Sequence, residues 1–304
     1  MDLSIIPVPV LFIITLVCAI ANGNCKAWYV KRIMRNESEQ YSFNAWNSII
    51  CVIFLLIFSL GKLTASLYTV LLGVVFGVVT MIFAILQAKA VKTGPFGYTT
   101  VIVNLSTALT ALSGAIFWHE KLSAFKIAGI VLMIVSFALA IETGKSDGKK
   151  ANIKWFILCL FALSASTLIG ILQKVHQTSE HNSELTVFLI VAFVTSAIIS
   201  YGGYIVQKKK ENAIIKEVKD EKPSKKKKIL IIILLICGIG AAGSNVINLF
   251  LSGITDTAIF FPIVNGVPLL FSLVVSFLVF KERLKIKQLV GLCLGVAAIL
   301  CLFI

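Results

Sequence analysis

The chain has 304 residues, of which 58% are hydrophobic and only 14% are charged, and its mean hydropathy is +0.97. Soluble domains are about 45–50% apolar, so this composition excludes a soluble globular domain and indicates an integral membrane protein. The net charge of +14 would suit a nucleic-acid-binding protein only if a water-soluble face carried it. Here the lysines and arginines occupy short segments between apolar runs, so we predict no nucleic-acid partner.

Ten apolar runs are long enough to cross a bilayer as helices, which takes about 20 residues. In chain order the predicted spans cover residues 4–30, 43–60, 66–88, 95–117, 123–141, 153–174, 185–206, 229–251, 257–280 and 285–304. The connections are short except for 207–228, so little of the chain is left for a soluble domain. The predicted fold class is therefore all-α integral membrane, with ten transmembrane helices.

Basic residues divide unevenly between the two faces that ten spans create. The connections after odd-numbered spans, with the adjoining span ends, hold 24 lysines and arginines, ten of them in 207–228, whereas the other face holds four. Short loops rich in lysine and arginine are cytoplasmic in membrane proteins. We therefore predict that the first face is cytoplasmic and that both termini lie outside.

Two stretches of sequence, 162 residues apart, resemble each other. FWHEKLSAFKIAGIVL begins at Phe117 and VFKERLKIKQLVGLCL begins at Val279, and they match at Glu120/Glu282, Leu122/Leu284, Gly129/Gly291 and Leu132/Leu294. Each stretch follows the fourth span of a five-span half. Because five is odd, the second half must enter the membrane in the opposite direction, which is the inverted-repeat architecture of many transporters. The predicted repeats are residues 1–145 and 146–304.

The charges of the loops agree with inversion. If equivalent loops of the two halves lie on opposite faces, one loop of each pair should be the more basic. All four pairs of equivalent loops meet this condition. The single residues Glu120, Glu282 and Asp256 lie at span edges, where we predict ion pairs with Lys121, Arg283 or Lys281.

With these features the chain resembles the drug/metabolite transporter superfamily, specifically its EamA-type branch. The residues that carry the resemblance are Glu120-Lys121-Leu122 with Gly129, Glu282-Arg283-Leu284 with Gly291, and Pro268 fourteen residues before Glu282. The first half departs from the pattern, because Ser106 occupies the position equivalent to Pro268. The resemblance covers essentially the whole chain and implies a metabolite carrier, often an exporter. Members are usually described with both termini in the cytoplasm, opposite to the orientation that the charges predict.

Polar residues in the fourth and ninth spans predict a substrate site. The ninth span contains Pro262, Asn265, Gly266 and Pro268, and each proline removes a hydrogen bond from the helix, so we expect a kink or a break. Discontinuous helices near the bilayer midplane present backbone groups to substrates. The fourth span offers Asn104, Ser106 and Thr107, and Asn104 is equivalent to Asn265 at an offset of 161. The alternative is helix–helix hydrogen bonding, worth about 0.6–2 kcal/mol per contact.

Further candidates for substrate contact lie in other spans. They are Asn24 and Lys26 in the first span, Ser164 and Ser166 in the sixth, and Asn245 in the eighth. Lys26 either snorkels to the interface along its long stem or serves as the counter-charge for a carboxylate or phosphate on the substrate. The small residues of the third span, including Gly73 and Gly77, are predicted to form a packing seam.

No catalytic, metal or cofactor site is predicted. The seven cysteines lie in apolar runs without metal-binding spacing, and no P-loop, HExxH or GxSxG motif appears. None of the 14 acidic residues lies in the middle of a span, so coupling through a buried carboxylate is unsupported. We therefore predict that the chain is not an enzyme.

Together these features predict a secondary transporter of a small organic metabolite or drug, working by alternating access as an exporter, facilitator or exchanger. It is expected to be a multi-pass protein of the cell membrane, of the bacterial cytoplasmic type, and the sequence predicts no oligomeric state. The alternative is a non-transporting sensor or scaffold whose lysine-rich segment recruits partners. That segment, 207–228, is predicted to be a solvated cytoplasmic linker that can also contact anionic lipid headgroups.

Overall fold

The computed structural model describes residues 3–34, 36–59, 63–94, 96–140, 152–214, 225–280 and 286–302. These residues form ten α-helices and two short 3-10 turns, with no strand among them. The helices are α1 Val8–Arg32, α2 Glu37–Ser59, α3 Leu67–Thr93, α4 Phe96–Phe117, α5 Ala124–Ala140, α6 Ile153–Gln177, α7 Leu185–Ile214, α8 Lys225–Ile254, α9 Thr257–Phe280 and α10 Ile286–Leu302. Each predicted span coincides with one helix, so the all-α prediction is confirmed for the described residues.

Six of these helices, α1, α2, α3, α6, α7 and α8, are long and apolar enough to cross a membrane. The other four carry shorter apolar stretches within the described residues, namely Ile102–Phe117, Ala124–Leu139, Thr257–Pro268 and Ile286–Leu302. The chain is thus an all-helical, multi-pass membrane protein. That all ten helices cross the bilayer stays a prediction.

Polar residues set several helix starts. Asn152 Oδ1 accepts a hydrogen bond from the amide of Trp155 (2.8 Å) at the start of α6. Ser123 Oγ accepts one from the amide of Lys126 (3.1 Å) at the start of α5. Each bond satisfies an amide that has no partner within its own helix. The turn between α4 and α5 places His119 in the left-handed region, with a φ of 53°.

The described chain divides into two compact units in space. Unit 1 comprises Met1–Met81 and Glu180–Asn248, and unit 2 comprises Ile82–Ser179 and Leu249–Ile304. Unit 1 therefore contains α1, α2, α7 and parts of α3 and α8, whereas unit 2 contains α4, α5, α6, α9 and α10. Each unit combines helices from both halves of the sequence, and the predicted repeats 1–145 and 146–304 stay a prediction.

In unit 1, α2 and α7 pack antiparallel along much of their length. The hydroxyl of Ser48, in the middle of α2, donates a hydrogen bond to that of Ser196 in α7 (3.3 Å). One end of the pair brings Tyr41 against Gly203, where a Cβ would lie 2.6 Å from the tyrosine ring. Because both helices are apolar, the serine pair keeps its polar atoms satisfied inside the helix pair.

Carboxylates at the two ends of α7 contact the starts of two other helices, α2 and α3. Glu211, near the end of α7, accepts hydrogen bonds from the amide (3.1 Å) and the hydroxyl of Ser38 in the first turn of α2. At the other end, Glu184 accepts from the amide (3.0 Å) and hydroxyl (2.6 Å) of Ser66, directly before α3. Negative charge is favourable at a helix N-terminus, so each glutamate caps a helix to which it does not belong.

In unit 2, α5 and α10 pack antiparallel, and their contacts show an internal two-fold relation. A Cβ on Gly129 of α5 would lie 3.0 Å from the carbonyl oxygen of Ala298 in α10. The hydroxyl of Ser136 in α5 donates to the carbonyl oxygen of Gly291 in α10 (2.6 Å). At the offset of 162, Gly129 is equivalent to Gly291 and Ser136 to Ala298. The two contacts are therefore images of each other, as a two-fold axis between the helices requires.

Small residues form much of the core of unit 2. Helices α4, α5, α9 and α10 meet there through buried side chains, namely Ala108, Ala111, Ile130, Met133, Phe137, Ala258, Ala298 and Leu302. Alanine lets helix backbones approach closely. In lipid, burying an apolar side chain gains no hydrophobic free energy, so helices associate through close packing of this kind.

Candidate functional site

Two of the predicted site residues in α4 line a small cavity within unit 2. Its volume is about 10 Å³, and it is lined by Asn104, Thr107, Ala108, Ile130, Met133, Ile134, Phe137 and Pro262. A cavity of this size holds about one water molecule. The structure thus brings Asn104 and Thr107 together with Pro262 of α9, around a space too small for an organic solute.

The predicted site residues Ser106 and Ser166 bond to each other. The hydroxyl of Ser106 in α4 donates to that of Ser166 in α6 (2.9 Å). One end of the same helix pair is joined by Trp155 Nε1, which donates to the hydroxyl of Thr99 (2.8 Å). Ser106 and Ser166 therefore bond to each other across two helices, and their contact with a substrate stays a prediction. Ser164 is exposed and donates to a carbonyl of its own helix.

Helix α9 runs through both of its prolines without a break. It is continuous from Thr257 to Phe280, so the structure shows no break in it, and the predicted alternative of a kink stays a prediction. Asn265 is exposed, Pro268 is half-buried, and neither lines the cavity beside Asn104. Gly266 is buried against α5, where a Cβ would lie 2.9 Å from the sulfur of Met133, so this glycine serves close packing.

The candidates of α1 and α8 lie in unit 1. The side-chain amide of Asn24 donates to the carbonyl oxygen of Ile20 (3.0 Å), and that of Asn245 donates to the carbonyl oxygen of Ala241 (2.8 Å). Each amide group therefore bonds to the backbone of its own helix. Lys26 is exposed, and both the snorkelling and the counter-charge interpretations of it stay predictions.

A charged cluster that sequence reasoning missed lies at the junction of α8 and α9 in unit 2. Lys174 Nζ, near the end of α6, is 3.1 Å from Glu120 Oε1, and the two side chains are only 6% and 10% exposed. Lys174 also donates to the carbonyl oxygen of Thr255 (2.9 Å). The other carboxylate oxygen of Glu120 accepts from the amide (2.8 Å) and the hydroxyl (2.7 Å) of Thr257. The ammonium group of Lys174 therefore contacts only oxygen acceptors, and each carboxylate oxygen of Glu120 contacts hydrogen-bond donors.

Helix dipoles explain why these charges have the signs they do. The carbonyl that Lys174 contacts follows the C-terminus of α8, where positive charge is favourable. The amide that Glu120 contacts opens α9, where negative charge is favourable. Gly114 makes room for the cluster, since a Cβ there would overlap both the Thr257 hydroxyl and the Glu120 carboxylate. We call Glu120, Lys174, Thr255 and Thr257 the α8–α9 clasp.

The ion pairs differ from those that the sequence predicts. Glu120 pairs with Lys174, whereas Lys121 is exposed, and Asp256 pairs with Lys126. Lys281, Glu282 and Arg283 lie outside the described residues. No local sequence pattern identifies Lys174, because its partner Glu120 lies in the distant turn between α4 and α5. Among the described residues, no group of three His, Cys, Asp or Glu side chains is placed to hold a metal ion.

Comparison with known proteins gives one family and one fold. The model of the EamA-like transporter family matches residues 10–141 and again 153–304. A solved structure, described only as "Crystal structure of protein", superposes with a TM-score of 0.73 at 11% identity, over 97% of this chain and 95% of that chain. At this identity the likeness shows the fold alone. A comparison with curated proteins found no match.

Proposed function

Because the chain belongs to the EamA-like transporter family, a family of membrane transporters of small molecules, we propose that it is a secondary transporter of a small organic metabolite or drug. It acts as an exporter, facilitator or exchanger in the cell membrane, of the bacterial cytoplasmic type, with all ten helices crossing the bilayer. The observation that carries the proposal is the double match of the family model, one match to each half of the chain.

The two-fold relation between α5 and α10 supports alternating access as the mechanism. In inverted-repeat transporters each half can adopt the conformation of the other, so exchanging the two conformations opens the site to the opposite face. The equivalent contacts of Gly129 with Ala298 and of Ser136 with Gly291 are what such a pair of halves requires. We place the substrate site at Asn104 and Asn265, which occupy equivalent positions in α4 and α9.

Binding at this site requires helix movement. The cavity beside Asn104 has a volume of about 10 Å³, whereas ligand pockets for organic molecules measure about 300–1,000 Å³. Helices α4, α5 and α9, which line the cavity, must therefore separate to admit a solute. Lids and gates of this kind commonly limit the turnover of a transporter or enzyme.

The double substitution Asn104→Leu with Asn265→Leu tests this site. Removing two side-chain amides that bond to the solute is expected to reduce flux by about tenfold or more, since each lost hydrogen bond is worth about 1 kcal/mol. The measurement is solute flux into liposomes that contain the purified protein. A thermal-shift screen against amino acids, nucleosides, sugars and cationic drugs selects the solutes.

The matched control is Ser106→Ala with Ser166→Ala, which removes a hydrogen bond between α4 and α6. We expect this variant to retain flux. Flux that survives the leucine variant but disappears in the alanine variant would move the site to the α4–α6 pair. If no solute in the screen binds to or crosses with the protein, the sensor or scaffold alternative replaces the carrier.

We propose that the lysine-rich segment 207–228 is cytoplasmic and contacts anionic lipid headgroups. In the described part of this segment Lys208, Lys209 and Lys210 are exposed, and Lys208 Nζ lies 2.7 Å from the hydroxyl of Tyr204. Tyrosine and lysine side chains together are typical of a helix end at the membrane–water interface. Residues 215–224 lie outside the described residues.

Two cysteine substitutions at opposite ends of α7 test the orientation. Ser183 and Lys210 are both exposed, one before and one near the end of this helix. With both termini outside, a membrane-impermeant maleimide added to intact cells should label Ser183→Cys and should leave Lys210→Cys unlabelled. The unsubstituted chain gives the background from the native cysteines. The reverse labelling pattern would establish both termini as cytoplasmic.

A further inference from the structure

A buried polar atom without a partner lies in the middle of α2. The side-chain oxygen Oδ1 of Asn47 is enclosed by the protein and accepts no hydrogen bond from any of the described residues. The rest of the side chain is partly exposed. Asn47 belongs to unit 1, and it is neither part of the site proposed above nor of the α8–α9 clasp.

Three helices of unit 1 meet at this height. Gly238 of α8 lies against α2, where a Cβ would be 3.6 Å from the backbone oxygen of Asn47. Cys51, one turn further along α2, donates its thiol to the carbonyl oxygen of Gly238 (3.2 Å). On the α1 side, a Cβ on Gly240 would lie 3.5 Å from Cβ of Asn22. The glycines of α8 therefore let α1 and α2 approach the same stretch of α8 near the middle of each helix.

A buried acceptor without a partner is unfavourable, because the surrounding protein keeps water from satisfying it. Another asparagine of unit 1 avoids this situation, because Asn248 Oδ1 accepts a hydrogen bond from the hydroxyl of Thr15 (2.7 Å). A leucine would fill the place of Asn47 without burying a polar atom. Polar groups of this kind within a membrane mark sites of function, and an unsatisfied one calls for a partner outside the chain.

We propose that Asn47 contacts the transported solute within unit 1, apart from the site at Asn104 and Asn265 and once the helices around Asn47 separate, with Oδ1 accepting a hydrogen bond from an N–H or O–H group. This inference rests on the proposed transport function and specifies the chemistry of the solute. A carbonyl-type oxygen is an acceptor only, so it recognises a solute by a donor and discriminates against an analogue in which that donor is methylated. Asn47 is thus a specificity-determining residue, contributed by a helix that sequence reasoning left without a candidate.

The substitution Asn47→Leu separates a binding role from a structural one. If Asn47 stabilised the fold, leucine would lower the melting temperature, whereas removal of an orphaned acceptor should leave it unchanged or raise it. The matched control is Asn248→Leu, which breaks the bond to Thr15 and is expected to lower the melting temperature by about 2–4 °C. Both variants are compared with the parent protein in the same detergent.

The transport assay uses a whole-cell metabolite extract as the probe. Liposomes containing the parent protein, Asn47→Leu or no protein are incubated with the extract, and the accumulated solutes are identified by mass spectrometry. We expect the accumulation of each solute that the parent accumulates to fall by about fivefold in Asn47→Leu, as the loss of one hydrogen bond predicts. Methylating the recognised N–H or O–H should lower accumulation by the parent and have no further effect in the variant.

The outcomes separate a solute-binding role of Asn47 from a structural role and from a failure of the proposed transport function. Equal accumulation by the parent and by Asn47→Leu would overturn the inference while leaving the transport function intact, and would indicate that water alone occupies the position. A loss of accumulation together with a lower melting temperature would make Asn47 a structural residue. If the parent accumulates nothing beyond the protein-free liposomes, the proposed function itself fails.

Discussion

Removing either charge of the Glu120–Lys174 pair is expected to destabilise the protein by about 3–5 kcal/mol, because the remaining charge is left buried and unpaired. Lys174→Met and Glu120→Gln each keep the size of the side chain and remove its charge. For a chain of this length the loss corresponds to a melting temperature lower by about 6–10 °C. Thermal unfolding in detergent measures it. The size of the effect follows from the low exposure of both side chains, 6% and 10%.

The second ion pair of the same corner provides the control. Lys126 pairs with Asp256, and the two side chains are 15% and 45% exposed. An ion pair with one exposed partner is stabilised less than a buried pair, so Lys126→Met should lower the melting temperature less than Lys174→Met. The double variant of Glu120 and Lys174 should lose less than the sum of the single variants, since neither charge is left alone. If Lys174→Met is no more destabilising than Lys126→Met, the clasp does not hold the junction of α8 and α9.

Gly77→Ala is expected to destabilise the protein by about 1–3 kcal/mol, the usual cost of overpacking a tight interface. A Cβ at this position of α3 would lie 2.6 Å from the backbone oxygen of Ala192 and 2.9 Å from Cβ of Thr195, both in α7. A backbone oxygen within a helix cannot rotate away as a side chain does. The helices must therefore move apart, and Gly77→Val should cost more than Gly77→Ala. Thermal unfolding measures both variants.

Gly202→Ala is the matched control. Gly202 is a helical glycine of α7, and a Cβ there would meet no atom within 4 Å. Alanine favours a helix over glycine by about 0.5–1 kcal/mol, so this variant should be as stable as the parent or slightly more stable. If Gly77→Ala behaves like Gly202→Ala, the packing seam between α3 and α7 is wider than the structure shows.

Much of the fold could be predicted because helix formation in a membrane depends on local composition. The predicted ninth span, 257–280, coincides with α9, and the resemblance to the EamA-type transporters is confirmed by the family match. The ends are less predictable where the helix continues beyond its apolar run. Helix α7 extends to Ile214 instead of 206, since lysine-rich sequence remains helical after it leaves the hydrocarbon. Helix α2 begins at Glu37 instead of 43, with Glu37 and Glu39 in its first turn.

The candidate site was less predictable than the fold. Asn104 and Thr107 line one small cavity, because residues three apart in a helix lie on the same face. Ser106 and Ser166, 60 positions apart, instead satisfy each other across α4 and α6. Polarity within a span indicates that a side chain needs a partner, but it does not indicate whether the partner is a solute or another helix.

The sequence by itself determined the helices, the repeat and the family, since an apolar run of about 20 residues must form a helix to satisfy its backbone in lipid. Only the tertiary structure decided which polar atoms find partners. Glu120 and Lys174 are joined because the ends of α4, α6, α8 and α9 meet, and the oxygen of Asn47 is enclosed where α8 packs against α2 at Gly238. Partners of this kind depend on packing between distant segments, whose geometry no local pattern of residues contains.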